Sequence, residues 1–281
     1  MEIKSLAATD PDALFEAFDR AFADYDIDLD FAALQRMLRR RGFTPELSFA
    51  AFDCGRIVSF TLNGTGFRNG IATAYDTGTG TIPEYRRQGL AQRIFAHSVP
   101  HLKAAGIRQY LLEVLQHNQS AAAVYRKAGF TAVRELDYYV QEKSLLRIAP
   151  RDCRCDIGCI DADTARQARR FRDFEPSWQN DFDSVARAGG DLSCRGATVD
   201  GILAGYCISE PASGDITQIA VAPEYRRRGI GRALLADAAA LGTSAVVKVT
   251  NTDSTHAGIA GFLNALNIRR KGRQFEMLKA L

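Results

Sequence analysis

Two turns rich in arginine and glycine carry the clearest chemistry in this chain. The first reads Pro83-Glu84-Tyr85-Arg86-Arg87-Gln88-Gly89-Leu90-Ala91. The second reads Pro223-Glu224-Tyr225-Arg226-Arg227-Arg228-Gly229-Ile230-Gly231. Each follows a β-like run and opens a helical run rich in alanine and leucine. Glycine lets the backbone approach a ligand closely and lets successive N–H groups converge. The helix start adds unpaired N–H groups and the positive end of a dipole, which suits a phosphate. The arginines can add charge-assisted hydrogen bonds to its oxygens. A single basic turn before a helix reads equally well as a solvated cap. Two, at the same depth in two similar halves, argue for a ligand.

A second set of residues follows the first turn: Leu112-Glu113-Val114-Leu115-Gln116-His117-Asn118, then Ala121, Tyr125 and Gly129-Phe130. Asn118 and Tyr125 lie about 20° apart on a helical wheel, so they share a face. A polar pair there, at the open end of a strand beside a phosphate loop, can hold a ligand arm and its leaving atom. Each residue also has a plainer reading: a helix cap for Asn118, ring packing for Tyr125, a surface strand position for Glu113.

The R-x-x-G-x-[GA] turn between strand and helix resembles the acetyl-CoA pyrophosphate loop of the GNAT N-acetyltransferase superfamily. It is neither a P-loop nor a dinucleotide fingerprint. The L-E-V-x-x-x-N…Y…G-F run is similar to that of the ribosomal-protein N-terminal acetyltransferases. The chain therefore resembles a tandem GNAT protein of the α/β class, with one domain at 1–143 and another at 144–281. Each would hold a mixed central sheet flanked by helices.

The resemblance implies acetyl-CoA as cosubstrate. Arg86, Arg87, Gln88, Gly89, Leu90 and Ala91 would hold the pyrophosphate, the backbone of Thr79, Gly80 and Thr81 would pair with the pantetheine arm, and Asn118 would hydrogen-bond it. Tyr125, with a reference pKa of about 10 against about 8.5 for a thiol, would protonate the leaving thiolate. Glu113 would deprotonate the acceptor ammonium, directly or through water. Ile219, Ala220, Val221, Arg226, Arg227, Arg228, Gly229, Ile230 and Gly231 are the corresponding cofactor residues of the second half. There the catalytic pair does not recur: Leu263, or less well Phe262, falls at the tyrosine position, and Lys248 stands where Glu113 stood.

The expected activity is direct transfer of acetyl to a primary amine, small molecule or peptide N-terminus, with the first domain catalytic. A non-catalytic CoA-binding or sensing protein, or catalysis in the C-terminal domain, remain as alternatives. The acceptor and the oligomeric state are left open.

The elements that must position these groups are legible in outline. Asp10-Pro11-Asp12 starts a helix with Leu14, Phe15, Phe18 and Phe22 on one face. A second helix runs from about Asp30 to Gly42, after an acidic link at 24–30. Two strands, Leu47–Asp53 and Arg56–Leu62, meet at a hairpin. Ile71–Thr81 leads into the first loop, where Gly78 and Gly80 suggest a bulge or a close backbone approach. Strands at Arg108–Leu115 and Thr131–Val140 bracket the helix from Asn118 to Ala128, and a linker follows at 141–151. The second half repeats the order, with a hairpin at Asp200-Gly201.

Composition narrows the function classes. With 281 residues, 46% hydrophobic and 25% charged, the chain is an ordinary globular protein of two domains. A net charge of +3 is too small to argue for nucleic acid. No apolar run is long enough for a membrane span, and Met1-Glu2-Ile3-Lys4 does not read as a signal peptide, so a cytoplasmic protein is expected. Six cysteines then read as reduced thiols. Cys153, Cys155 and Cys159 have no fourth ligand at zinc spacing, so no metal is expected and they read as buried or half-buried strand thiols.

Overall fold

A computed structural model describes residues 1–24, 29–148 and 153–281. Most of the acidic link and the end of the expected linker lie outside the described residues. The chain divides into two compact units. The first is Met1–Val114, Asn118–Val133 and Glu276–Leu281, and the second is Leu115–His117 and Arg134–Phe275.

In chain order the first half runs β1 (Glu2–Ser5), α1 (Pro11–Phe22), α2 (Phe31–Arg41), β2 (Phe49–Asp53), β3 (Arg56–Arg68), β4 (Ile71–Thr81), α3 (Leu90–Ala104), β5 (Gln109–Leu115), α4 (Gln119–Lys127) and β6 (Thr131–Glu142). The second runs β7 (Asp156–Cys159), α5 (Ala162–Gln167), α6 (Phe182–Ala188), β8 (Ser193–Val199), β9 (Ile202–Glu210), β10 (Asp215–Val221), α7 (Ile230–Leu241), β11 (Val246–Asp253), α8 (Ala257–Ala265) and β12 (Arg270–Ala280). This is a mixed α/β architecture in both units.

The first unit orders its strands β1-β2-β3-β4-β5, with the end of β12 beside β5. Pairings are antiparallel up to β4 and parallel between β4 and β5. The second unit orders β7-β8-β9-β10-β11-β6, with the start of β12 beside β6. Again one pair, β10 with β11, is parallel.

Local chemistry explains the elements around the first loop. Asp10 caps α1 by accepting from the Asp12 N–H, with Pro11 at the first position. Asp30 caps α2 through Ala33, and Gly42 closes it in the left-handed region at φ 79°. Leu14, Phe18, Leu34 and Leu38 from these helices are buried on Phe60 and Leu62 of β3. Each large side chain so buried contributes about 1.5–3 kcal/mol relative to exposure.

β3 runs on to Arg68 through Asn63-Gly64-Thr65-Gly66, a stretch with turn composition. Gly64 is there for packing, since a Cβ would collide with the Arg41 carbonyl at the end of α2. Gly80 is required for the same reason: a Cβ would stand 2.6 Å from the Phe60 ring and 2.9 Å from Ala21. The bulge suggested by the glycines falls at Thr77, where the β3–β4 register slips between Leu62↔Gly78 and Asn63↔Asp76.

Candidate active site

β4 and β5 pair only from Thr73↔Gln109 to Tyr75↔Leu111 among the described residues. Beyond that point the bulged half of β4 continues without that partner toward the loop. A cleft of about 180 Å³ lies there, lined by Thr79, Gly80 and Thr81 of β4, Ala91 and Phe95 of α3, Tyr110 of β5, and Tyr125 of α4. The structure thus brings together the expected strand segment, the end of the expected loop and the expected tyrosine.

The loop itself turns through left-handed backbone at Arg87 (φ 63°) and Gly89 (φ 71°). No side chain caps the first turn of α3, so its N–H groups remain donors for an anion. A Cβ on Gly89 would meet nothing within 4 Å, so the surface there is open. Arg86 is otherwise occupied. Its guanidinium donates to the Thr81 carbonyl at 3.1 Å and the Ala21 carbonyl at 3.2 Å, and pairs with Asp24 at 2.6 Å. It latches the loop to the end of β4 and to α1.

Asn118 caps α4, its side-chain oxygen accepting from the Ala121 N–H at 3.1 Å and the Ser120 hydroxyl at 2.9 Å. The amide N–H donors are the part of it that can meet a ligand. Glu113 does not line the cleft. Strand alternation sets it on the face opposite Tyr110, where it accepts from the Tyr75 hydroxyl at 3.1 Å. Tyr75 is held well above the usual phenol range by burial and by the Glu113 charge.

The cleft contains a carboxyl that sequence reasoning did not single out. Asp76 lines it and accepts from the Tyr125 hydroxyl at 3.2 Å, the Thr79 hydroxyl at 2.8 Å and the Gly78 N–H at 3.0 Å. Burial pushes its pKa up to about 6, against the hydrogen bonds from Thr79, Tyr125 and Gly78 and the Arg41 charge, which pull it down. An acid inside a strand, next to a glycine-marked bulge and ten residues before Arg86, was the available signal.

The second loop repeats the first in its backbone, with Arg227 at φ 65° and Gly229 at φ 89°. Arg226 donates to the Val221 carbonyl at 2.9 Å and the Phe171 carbonyl at 3.0 Å, and pairs with Asp173 at 2.8 Å. Its surroundings differ. Cys153 stands 3.7 Å from where a Gly229 Cβ would be, and the Phe262 ring 3.2 Å from where a Gly231 Cβ would be. Arg232 donates to the Arg147 carbonyl, and Leu146, Ile148 and Cys153 pack on the core beneath. Leu263 is fully buried in that core. A cleft of about 50 Å³ in this unit is lined by Asn180, Gln218, Thr250 and Asn251, with no α7 residue.

The sulfurs of Cys153 and Cys155 lie 2.8 Å apart, and Cys159 is exposed, accepting from Arg195 at 2.8 Å. Of the expected buried or half-buried strand thiols, Cys153 and Cys155 are half-buried but lie before β7, while Cys159 is on β7 but exposed. No helix among the described residues is long and apolar enough to cross a membrane.

Known proteins resemble this chain in both halves. The acetyltransferase (GNAT) family model matches residues 12–130, and an acetyltransferase (GNAT) domain model matches residues 192–263. N-alpha-acetyltransferase 30 of Schizosaccharomyces pombe is 30% identical over 101 residues, 34% of this chain and 64% of the relative, so the chain spans under two thirds of that protein's length. The [ribosomal protein bS18]-alanine N-acetyltransferase of Escherichia coli K12 is 28% identical over 138 residues, 49% of this chain and 86% of the relative. Among solved structures, a tandem GNAT protein from the clavulanic acid biosynthesis pathway shares the fold, with a TM-score of 0.75 at 16% identity, covering 99% of this chain and 98% of its own. A GCN5-related N-acetyltransferase from Sphaerobacter thermophilus follows with a TM-score of 0.74 at 14% identity, covering 99% and 95%. The chain belongs to the GNAT acetyltransferase family and carries two GNAT domains in tandem.

Proposed function

We propose that this chain is an N-acetyltransferase that moves acetyl from acetyl-CoA to a primary amine, and that the first unit performs the chemistry. One observation carries the reading: the Tyr125 hydroxyl and the end of β4 that β5 leaves uncovered share a cleft with the first turn of α3. The residues present fit acetyl-CoA. Uncapped N–H groups and left-handed Arg87 and Gly89 offer an anion site, and the edge of Thr79–Thr81 away from β3, apart from the Thr81 carbonyl that Arg86 holds, offers strand backbone to an amide-bearing arm. When bound, acetyl-CoA supplies an activated acyl group.

The chain's own residues would do three things. They hold amine and thioester at one place, which removes most of the entropic barrier. Glu113, on the face of β5 opposite the cleft, would take the proton of the acceptor ammonium from that side or through water, and Tyr125 would give one to the departing sulfur. Relatives named for alanine or N-alpha-acetylation support an amine acceptor, and a peptide N-terminus is the first class to try.

The test is a panel of peptide N-termini, polyamines, amino acids and aminoglycosides, with release of CoA thiol as the readout. Turnover with any amine, abolished by Tyr125→Phe, supports the reading. Binding of acetyl-CoA with no turnover on the whole panel would favour a sensing protein. Turnover that survives Tyr125→Phe and Glu113→Gln would move the chemistry to the second unit.

A further inference from the structure

The geometry around Asp76 goes one step beyond that reading and rests on Tyr125 being its proton donor. Oδ1 of Asp76 accepts from the Gly78 N–H, while Oδ2 faces both the Thr79 and Tyr125 hydroxyls. Oδ1 therefore has a fixed task, holding the bulge at Thr77. Oδ2 is the oxygen whose proton state decides the direction of the contact with Tyr125. We propose that Asp76 is the positioning residue for Tyr125: with a proton on Oδ2 it donates to the Tyr125 oxygen and leaves the phenolic hydrogen to the cleft, and when ionised it draws that hydrogen to itself.

The surroundings allow both states. Thr79 has a second acceptor in the Thr61 hydroxyl at 3.2 Å, so its hydrogen can turn away when Oδ2 becomes a donor. The titratable and charged groups facing Asp76 are Arg41 of α2, Tyr75 of β4, Tyr110 of β5 and Tyr125 of α4. Of these only Arg41 is charged near neutral pH, and it favours the carboxylate. Burial opposes it and brings the switch to about pH 6. A ligand filling the cleft would remove more water from the carboxyl and move the switch upward.

Asp76→Asn separates this role from that of a catalytic base. The Gly78 N–H keeps an oxygen acceptor, which puts the amide nitrogen at the Oδ2 position. That nitrogen donates permanently to Tyr125, as the protonated acid does. Single-turnover acetyl transfer, corrected for the free-base fraction of the amine, should fall in the wild type as pH rises through about 6 or somewhat above. In Asp76→Asn the decline should vanish, and at pH 8 the variant should be at least threefold faster than wild type. In a Tyr125→Phe background the same substitution should change the rate less than twofold. A variant equal to or slower than wild type at pH 8, or one that keeps the decline, overturns the proposal.

A readout independent of turnover covers failure of the parent reading or of folding. Carbon-detected NMR of the side-chain carboxyls should show one titrating near pH 6 in wild type. Tyr125→Phe removes a donor that stabilises the carboxylate, so that midpoint should rise. An unmoved midpoint overturns the contact, whatever the amine screen gives.

Discussion

Arg86 and Arg226 are held in similar ways: one donor on a carbonyl at the end of the preceding strand, another on a carbonyl near the end of α1 or of the helical turn that follows α5, and an aspartate alongside. The left-handed residues that follow repeat as well. What covers the two loops differs. Gly89 faces open space, whereas Gly229 has Cys153 against it and Gly231 has the Phe262 ring. The first arginine of the motif shapes the loop with or without a ligand, so the motif alone reports a fold. Access and the neighbouring helix report the chemistry: Tyr125 lines a cleft, while Leu263 is core.

The sharpest break of the comparison is at those two positions. Tyr125→Phe keeps the ring and its edge contact with Phe130 and removes only the hydroxyl. A proton donor should lose roughly 10²–10⁴-fold in single-turnover acetyl transfer, in kcat and kcat/KM together, with acetyl-CoA affinity near wild type. A transfer step within threefold of wild type ends the claim. Leu263→Ala at the matching place should instead cost about 2–5 kcal/mol of stability, read by denaturant unfolding, and leave the transfer step of the folded protein alone. A folded Leu263→Ala protein that has lost transfer would put the second unit into the chemistry.

Next in size is the first loop. Gly89 sits at φ 71° with open space around its Cβ direction, so valine there is opposed by backbone strain and by the loss of close approach. Acetyl-CoA affinity should weaken at least tenfold, about 1.4 kcal/mol. Calorimetry with unchanged affinity would remove the loop from the site.

The repeated loops, the capped α1 and α2 and the hairpin at Asp200-Gly201 were all legible, because each rests on local chemistry. The continuation of β3 through Gly64 was not, since the glycine answers to Arg41, a residue far away in sequence. Nor was the placement of Arg134–Glu142 with the second unit. A strand's alternation is the same whichever sheet takes it, and its partner, here β11 in register Val246↔Glu142, is set by non-local pairing. Asp76 escaped because its significance comes from burial beside Tyr125, which no spacing in one strand displays. Phe262 and Cys153 likewise look like ordinary apolar positions until they are seen over glycines.

The smallest effect is expected at Gly229, and it sharpens the comparison most finely. The expectation that Arg226–Gly231 holds a second CoA requires the Cys153 segment and the Phe262 ring to move, which costs buried contact in the second core. Wild-type protein should then bind one equivalent of acetyl-CoA per chain. Gly229→Val forces a β-branched residue to φ 89° and crowds Cys153, so stability should fall by about 1–3 kcal/mol. Stoichiometry and affinity should stay as they were, and turnover should remain within twofold. Calorimetry decides between the readings: two equivalents for wild type and one for the variant would mean that the second loop is a working site and that the cover opens for it.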